Sequence, residues 1–283
     1  MKKGPIEKKI DQLVRQASFV LRDDVLRLIK KARRTESNKR ARQALDWIIE
    51  NAAIAKASRL ALCQDTGLPV VFLEAGKGVA VSAGMIEAVK RAVEDSYRRN
   101  RLRASFVDPL ARGSSGFRGA EVTVEFDPKR KGLRVTLFPK GFGSENKSRL
   151  AMLNPTASLD DIEAFVIDSV RRAGPEACPP FVVGVGIGGT SDQALLLAKK
   201  ALCRRIDKPN PDRSLRSLEK RLVKRINALK IGAMGFGGKT TALRVAVKKH
   251  PTHIAGLPVG VNISCWALRS ASVKLTSYEF NEL

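Results

Sequence analysis

From Phe181 the chain reads FVVGVGIGG and runs on, after one threonine, into SDQALLLAKKALCRRI. The first run is a buried strand ending in glycines, and the second is an amphipathic helix. The same alternation continues along the chain. PVVFLEAG reads as a short strand and GMIEAVKRAVEDSYRRN as a helix opened by Gly84. SLDDIEAFVIDSVRRAG begins on a serine cap, carries acids in its first turn and stops at Gly174. AEVTVEFDPKRKGLRVTLFP alternates apolar and polar residues on both sides of a Pro-Lys-Arg-Lys-Gly turn, which predicts a hairpin. TTALRVAVKK and GLPVGVNIS are further strands, and the helix from Ser214 has Gly232 as its expected stop. Residues from about Ile6 to Ser58 read as two or three amphipathic helices. The expected class is therefore α/β or α+β, a helical N-terminal portion of about residues 1–58 followed by mixed sheets with glycine-rich loops at the strand ends. No repeat or low-complexity linker divides the 283 residues, so one domain over 1–283 is expected, with about Pro155 as the weakest point.

Charge narrows the partners. Lys and Arg number 52 against 28 Asp and Glu, a formal net charge of +24. Nucleic acid is the sharp reading of such an excess. Yet the basic residues are dispersed over helical segments such as VLRLIKKARRTESNKRARQAL. Aromatic residues make up only 5% of the chain, and no basic stretch interleaves stacking rings. Solvated helix faces or an acidic protein partner account for the charge better than dedicated nucleic-acid binding. The N-terminal MKKGPIEKKIDQLVRQ has no apolar core, and no apolar run reaches the ~18–20 residues of a membrane span. The expected location is the cytoplasm, with no membrane.

Two glycine-rich stretches imitate nucleotide sites. GVGIGG is one residue short of the dinucleotide fingerprint and lacks its later acid. GAMGFGGKTT puts Ala233 where a P-loop needs its first glycine, and a strand-like segment follows it in place of a helix. Such a loop, with Lys239, remains a place to hold an anion through backbone N–H groups. The four cysteines, Cys63, Cys178, Cys203 and Cys265, form no CxxC pair, which argues against a zinc ribbon. Three of them lie in or beside glycine-bearing polar loops; Cys203 falls in a helix. His253 leads through an apolar run to Cys265. Loops at strand ends are where α/β proteins build sites, so an enzyme with a metal or thiol site is expected over a structural protein.

Six blocks, in order from about Ser58 to Ser272, carry a resemblance: LCQDTGLPVVFLEAG, LRASFVDPL, PKGFGSENKSRLAMLNP, ACPPFVVGVGIGGTSDQALLLAKKAL, GAMGFGGKTTALRVAV and THIAGLPVGVNISCWALRSAS. The sequence resembles the α subunit, or N-terminal domain, of the class I iron–sulfur fumarate hydratases and tartrate dehydratases. The resemblance implies a [4Fe–4S] cluster on Cys63, Cys178 and Cys265, with Cys203 as no ligand. It implies that Gln64 and Asp65 serve catalysis, Asp65 facing the open iron or the substrate hydroxyl. Arg103 is implied to pair a substrate carboxylate, Gly141 and Gly143 to give backbone contacts, His253 to reach the far carboxylate, and Lys239 to support. The implied reaction is hydration of fumarate to (S)-malate. The alternatives are dehydration of tartrate, or a divergent, non-catalytic paralogue binding an acidic partner. A separate β subunit, in an α₂β₂ assembly, is implied to complete the site. One departure stands out. Where the family carries an NTGDNTPA-like stretch, this chain reads RGSSGFRGAEVTV.

Overall fold

The computed structural model describes residues 4–275. Three helices come first: α1 (Pro5–Phe19), α2 (Asp23–Thr35) and α3 (Lys39–Ser58). They are followed by β1 (Leu68–Lys77), α4 (Ala83–Arg99), β2 (Glu121–Lys131) and β3 (Leu133–Lys140). A single helical turn, α5 (Phe142–Glu145), leads to β4 (Arg149–Leu153), α6 (Leu159–Ala173), β5 (Phe181–Ile187) and α7 (Ser191–Leu202). The described chain ends with α8 (Arg213–Asn227), β6 (Ala242–Lys249), β7 (Leu257–Ser264) and β8 (Ala271–Leu275). The fold is α/β with a helical N-terminal portion and mixed sheets, as the sequence pattern implied.

The helix boundaries follow local chemistry. Ser158 Oγ accepts the Asp161 N–H at 3.2 Å while the Asp161 carboxylate accepts the Ser158 N–H at 2.8 Å, a reciprocal cap on α6. Gly174 closes that helix at φ 55°. α4 differs from the sequence reading. Ser82 opens it, its Oγ accepting the Met85 N–H at 3.1 Å, and Gly84 lies inside the first turn. Asp212 caps α8 through the N–H groups of Ser214 and Leu215, and the helix ends at Asn227, well before Gly232. Cys203 is the C-cap of α7 and not a residue of its interior.

Packing separates two compact units. The first comprises residues 4–21, 54–140 and 269–275; the second comprises 22–53 and 141–268. Each is assembled from separated segments, so no single point along the sequence divides them. In the first unit the sheet order is β2-β1-β3-β8. β2 and β3 do not form the expected hairpin. β1 lies between them, parallel to β2 and antiparallel to β3. Val71, Leu73, Val135 and Leu137 of this sheet pack with Val89 and Val93 of α4 and with Ile10, Leu13 and Val14 of α1.

In the second unit the order is β4-β7-β5-β6, with β5 parallel to β6 and antiparallel to β7. Val183 and Val185 of β5 pack with Val166 and Val170 of α6 and with Leu218, Leu222 and Ile226 of α8. Burying one such leucine or valine contributes about 1.5–3 kcal/mol. The alternate residues, Gly184 and Gly186, turn to the other face, where α7 lies directly on the strand. A Cβ at Gly184 would run into the Ala198 carbonyl oxygen, and one at Gly186 into that of Ala194. One at Gly260 on β7 would stand 2.6 Å from the Ala194 oxygen. Gly184 and Gly186 of GVGIGG therefore serve helix–sheet contact, while Gly188 and Gly189 take positive φ in the turn that follows β5. Among the described residues no helix is long and apolar enough to cross a membrane.

Candidate active site

Strand register decides which loops meet in the second unit. Val182 near the start of β5 lies opposite Ser264 at the end of β7. Cys178, just before β5, and Cys265, just after β7, are thereby brought to one end of the sheet. The Trp266 N–H donates to the Cys178 carbonyl at 3.2 Å, which ties the two cysteine segments together. β6 runs parallel to β5, so the glycine-rich segment before it arrives at the same end. There the Met234 N–H donates to the Pro179 carbonyl at 2.8 Å, and Gly235 leaves room for Pro175 only because it lacks a Cβ. Arg149 at the start of β4 pairs with Val261, which brings Gly141, Gly143 and α5 to that end as well.

Cys178 holds a left-handed backbone, φ 53° and ψ 69°, which is uncommon for a residue with a side chain. Its N–H donates to Pro175 O at 3.0 Å. Glu145 fixes the α5 turn: its carboxylate takes Lys199 Nζ at 2.5 Å and Asn262 Nδ2 at 2.8 Å. Asn262 also donates to Ser148 Oγ at 2.8 Å. Glu36, almost fully buried, fixes the glycine-rich segment. Its Oε2 accepts the Lys239 N–H at 2.8 Å, and its Oε1 accepts the N–H groups of Ser37 and Asn38 at 2.9 Å each. Lys239 Nζ donates to the Thr35 carbonyl at 3.1 Å, a contact that helps close the C-terminus of α2. His253 does not join this group. It lies in the exposed segment between β6 and β7, at the opposite end of the sheet, and its Nδ1 accepts the Ala255 N–H at 3.1 Å.

In the first unit the CQDTG segment enters β1. The Asp65 carboxylate accepts the Gly67 N–H at 3.0 Å, a turn that fixes one carboxylate oxygen. The buried Thr66 hydroxyl accepts the Arg103 N–H at 3.0 Å, so Asp65 and Arg103 are held on adjacent segments. The Tyr97 hydroxyl reaches the Gly67 carbonyl at 3.4 Å. Burial pushes the Tyr97 phenol well above its ordinary range; Arg269 acts against that shift and Asp65 adds to it. Gly67, Tyr97 and Arg103 line one narrow cleft. Gln64 is exposed beside it in sequence.

All four cysteines are partly exposed, and none is in a disulfide. Among the described residues no three His, Cys, Asp or Glu side chains gather closely enough to ligate one metal ion. A cluster makes a different demand, because each thiolate binds a separate iron. Cys63, Cys178 and Cys265 offer the sulfur donors that such a group takes, and the backbone of Cys178 is fixed in its loop by the Pro175 and Trp266 hydrogen bonds. Sequence reasoning missed Glu36 and Glu145, which hold the loops that bear Lys239 and Gly143. Their signal was faint: each is an acid in a locally polar stretch, and its partners are distant in sequence.

The model of the family described as fumarate hydratase (Fumerase) matches residues 7–274. The chain belongs to the fumarate hydratase family. It is accordingly a lyase of the hydro-lyase type. A protein of Methanocaldococcus jannaschii named "Putative L(+)-tartrate dehydratase subunit alpha" is 43% identical over 267 residues, covering 92% of this chain and 94% of that protein. A Geobacillus stearothermophilus protein named "Putative fumarate hydratase class I" is 34% identical over 276 residues, 93% of this chain but 54% of its own length. The L(+)-tartrate dehydratase subunit alpha of Escherichia coli K12 is 27% identical over 255 residues, covering 89% of this chain and 84% of that subunit. The family match spans the CQDTG, ACPP, GGKTT and NISC segments whose geometry is given above.

Proposed function

We propose that this chain is the α subunit of a [4Fe–4S]-dependent hydro-lyase that interconverts fumarate and (S)-malate. The observation that supports the reading is the Trp266–Cys178 backbone hydrogen bond, because it ties together the segments that bear two of the three cysteines of the family pattern. Cys63, Cys178 and Cys265 would supply the thiolates. When bound, such a cluster supplies a Lewis acid for the substrate's hydroxyl. The Asp65 carboxylate, held in place by the Gly67 N–H, is assigned to hold and return the proton in the addition of water. Arg103, whose guanidinium has no ion-pair partner among the described residues, is assigned to a terminal carboxylate of the substrate. Gln64, Gly141 and Gly143 are assigned to substrate contact, and Lys239 to holding its loop. His253 is left out of this site, on account of its position at the far end of the sheet.

A relative named as a tartrate dehydratase subunit supports a second substrate, L(+)-tartrate, whose loss of water gives oxaloacetate. The names of two of the relatives also support a separate β subunit. The chain would then act in the cytoplasm as part of an α₂β₂ assembly. The test is co-expression with a β-type chain, anaerobic loading with iron and sulfide, and assay with fumarate, (S)-malate and L(+)-tartrate. Turnover of fumarate and malate supports the first reading, and oxaloacetate formed from tartrate the second. Activity with none of the three, from a fully loaded assembly, would remove both.

A further inference from the structure

We infer that Arg118 is a second carboxylate-binding residue, sharing with Arg103 one anion subsite in the cleft beside Asp65. The inference rests on the assignment of Arg103 to a substrate carboxylate and adds to it a residue from the segment in which this chain departs from the family it resembles. The topology brings these residues together. Val70 near the start of β1 pairs with Glu121 at the start of the parallel strand β2. The segment that enters β2, Gly116–Ala120, therefore ends at the same edge of the sheet as the CQDTG segment that enters β1. Arg103, Arg118, Gly67, Tyr97 and Ser105 line a single cleft there.

The cleft is built for an anion. Neither guanidinium has a hydrogen-bond or ion-pair partner among the described residues. Two of the acids nearby, Asp108 and Glu94, are already engaged. Asp108, whose carboxyl is held low by the N–H groups of Ala111 and Leu110 and more weakly by Arg118, accepts those N–H groups at 2.7 and 2.9 Å. Glu94, which also borders the cleft, takes Arg98 Nη2 at 2.7 Å and the Gly119 N–H at 3.1 Å. Two guanidinium groups without a hydrogen-bond or ion-pair partner among the described residues thus line a cleft whose one acid, Glu94, is held by Arg98 and the Gly119 N–H. The interior is small, about 10 Å³, with room for about one water-sized group. That size admits one carboxylate oxygen of a small diacid and leaves the rest of the molecule at the mouth of the cleft. The ligand class is a small carboxylate-bearing anion, held end-on between two planar forks.

The test is calorimetric titration of the full chain, together with any subunit that co-purifies, with the fumarate and L(+)-tartrate dianions at fixed ionic strength. Arg118→Gln is expected to weaken binding about tenfold or more, as Arg103→Gln does, because each removes a charge-assisted hydrogen bond. Arg118→Lys should recover part of the loss. Arg112→Gln, a change in an exposed cation of the same segment that does not line the cleft, should stay within about twofold, which separates a local contact from the general positive field. If Arg103→Gln weakens binding and Arg118→Gln does not, the inference fails while the role of Arg103 stands. If neither change matters, or the unaltered protein binds neither dianion, both fail.

Discussion

The backbone N–H of Trp266 points at the carbonyl oxygen of Cys178, 3.2 Å away. The bond joins the exit of β7 to the entrance of β5, two central strands of one sheet. It makes the positions of Cys178 and Cys265 a consequence of strand register, so a change that disturbs either segment disturbs both thiols. It also explains why Cys178 tolerates a left-handed backbone. Its neighbours on both sides are fixed by Pro175, Pro179 and Met234, and the cost of the strained residue, roughly 1–3 kcal/mol, is spread over that packing.

Cysteine substitution separates ligand from packing residue. Replacing Cys63, Cys178 or Cys265 with serine is expected to lower bound iron sharply and remove the broad visible absorption of the reconstituted protein. Cys203→Ser, at the C-cap of α7, should retain iron content. Iron and sulfide assays on anaerobically prepared variants check this, and equal iron in all four would refute the ligand assignment.

Asp65→Asn keeps an oxygen for the Gly67 N–H, so the turn before β1 should survive. Its second position can no longer take up a proton. Turnover by the assembled enzyme is expected to fall by about 10²–10⁴-fold, with an unchanged circular-dichroism spectrum and melting temperature. A variant that melts early instead would mark Asp65 as a structural residue.

Stability should decline in acid partly through Glu163. Burial alone would raise its carboxyl, but Arg225 and Arg221, at 2.8 and 2.7 Å, outweigh that and hold it below its ordinary value. A carboxyl depressed in the folded state stabilises fully above the unfolded value, about 4.3. That contribution is lost as pH falls through the lower folded value. The arginines are nearly half exposed, so Glu163→Gln should cost about 1–3 kcal/mol at neutral pH. Denaturant titrations across the acid range should show a flatter pH dependence for the variant; parallel curves would contradict the assignment.

Two glycines should respond oppositely to alanine. Gly184→Ala forces a methyl group into the Ala198 carbonyl, which backbone movement alone can relieve, so a loss of about 3 kcal/mol or more is expected. Gly84, inside α4, has its nearest neighbour, Ser82 Oγ, 3.7 Å from a built Cβ. Gly84→Ala should therefore stabilise by about 0.5–1 kcal/mol through helix propensity. Chemical denaturation of both variants checks the pair.

Local patterns in the sequence determined much of this protein. Periodicity and caps marked α6, β5, α7, β6 and β7, because these signals arise from residues a few positions apart. The six ordered motif blocks were enough to indicate the family. Tertiary structure alone decided the rest. EVTVEFDPKRKGLRVTLFP has every local sign of a hairpin, yet β1 inserts between its strands. A turn signal says that two strands are near in sequence, whereas pairing is settled by which apolar faces can be buried together. Four of the site's segments look equivalent as strand-end loops. Strand direction sorts them, sending Cys178, Cys265 and the Met234 loop to one end of their sheet and His253 to the other. Arg118 was invisible as a site residue for the same reason: its nearness to Arg103 comes from the parallel pairing of β1 with β2, and no spacing along the chain encodes it.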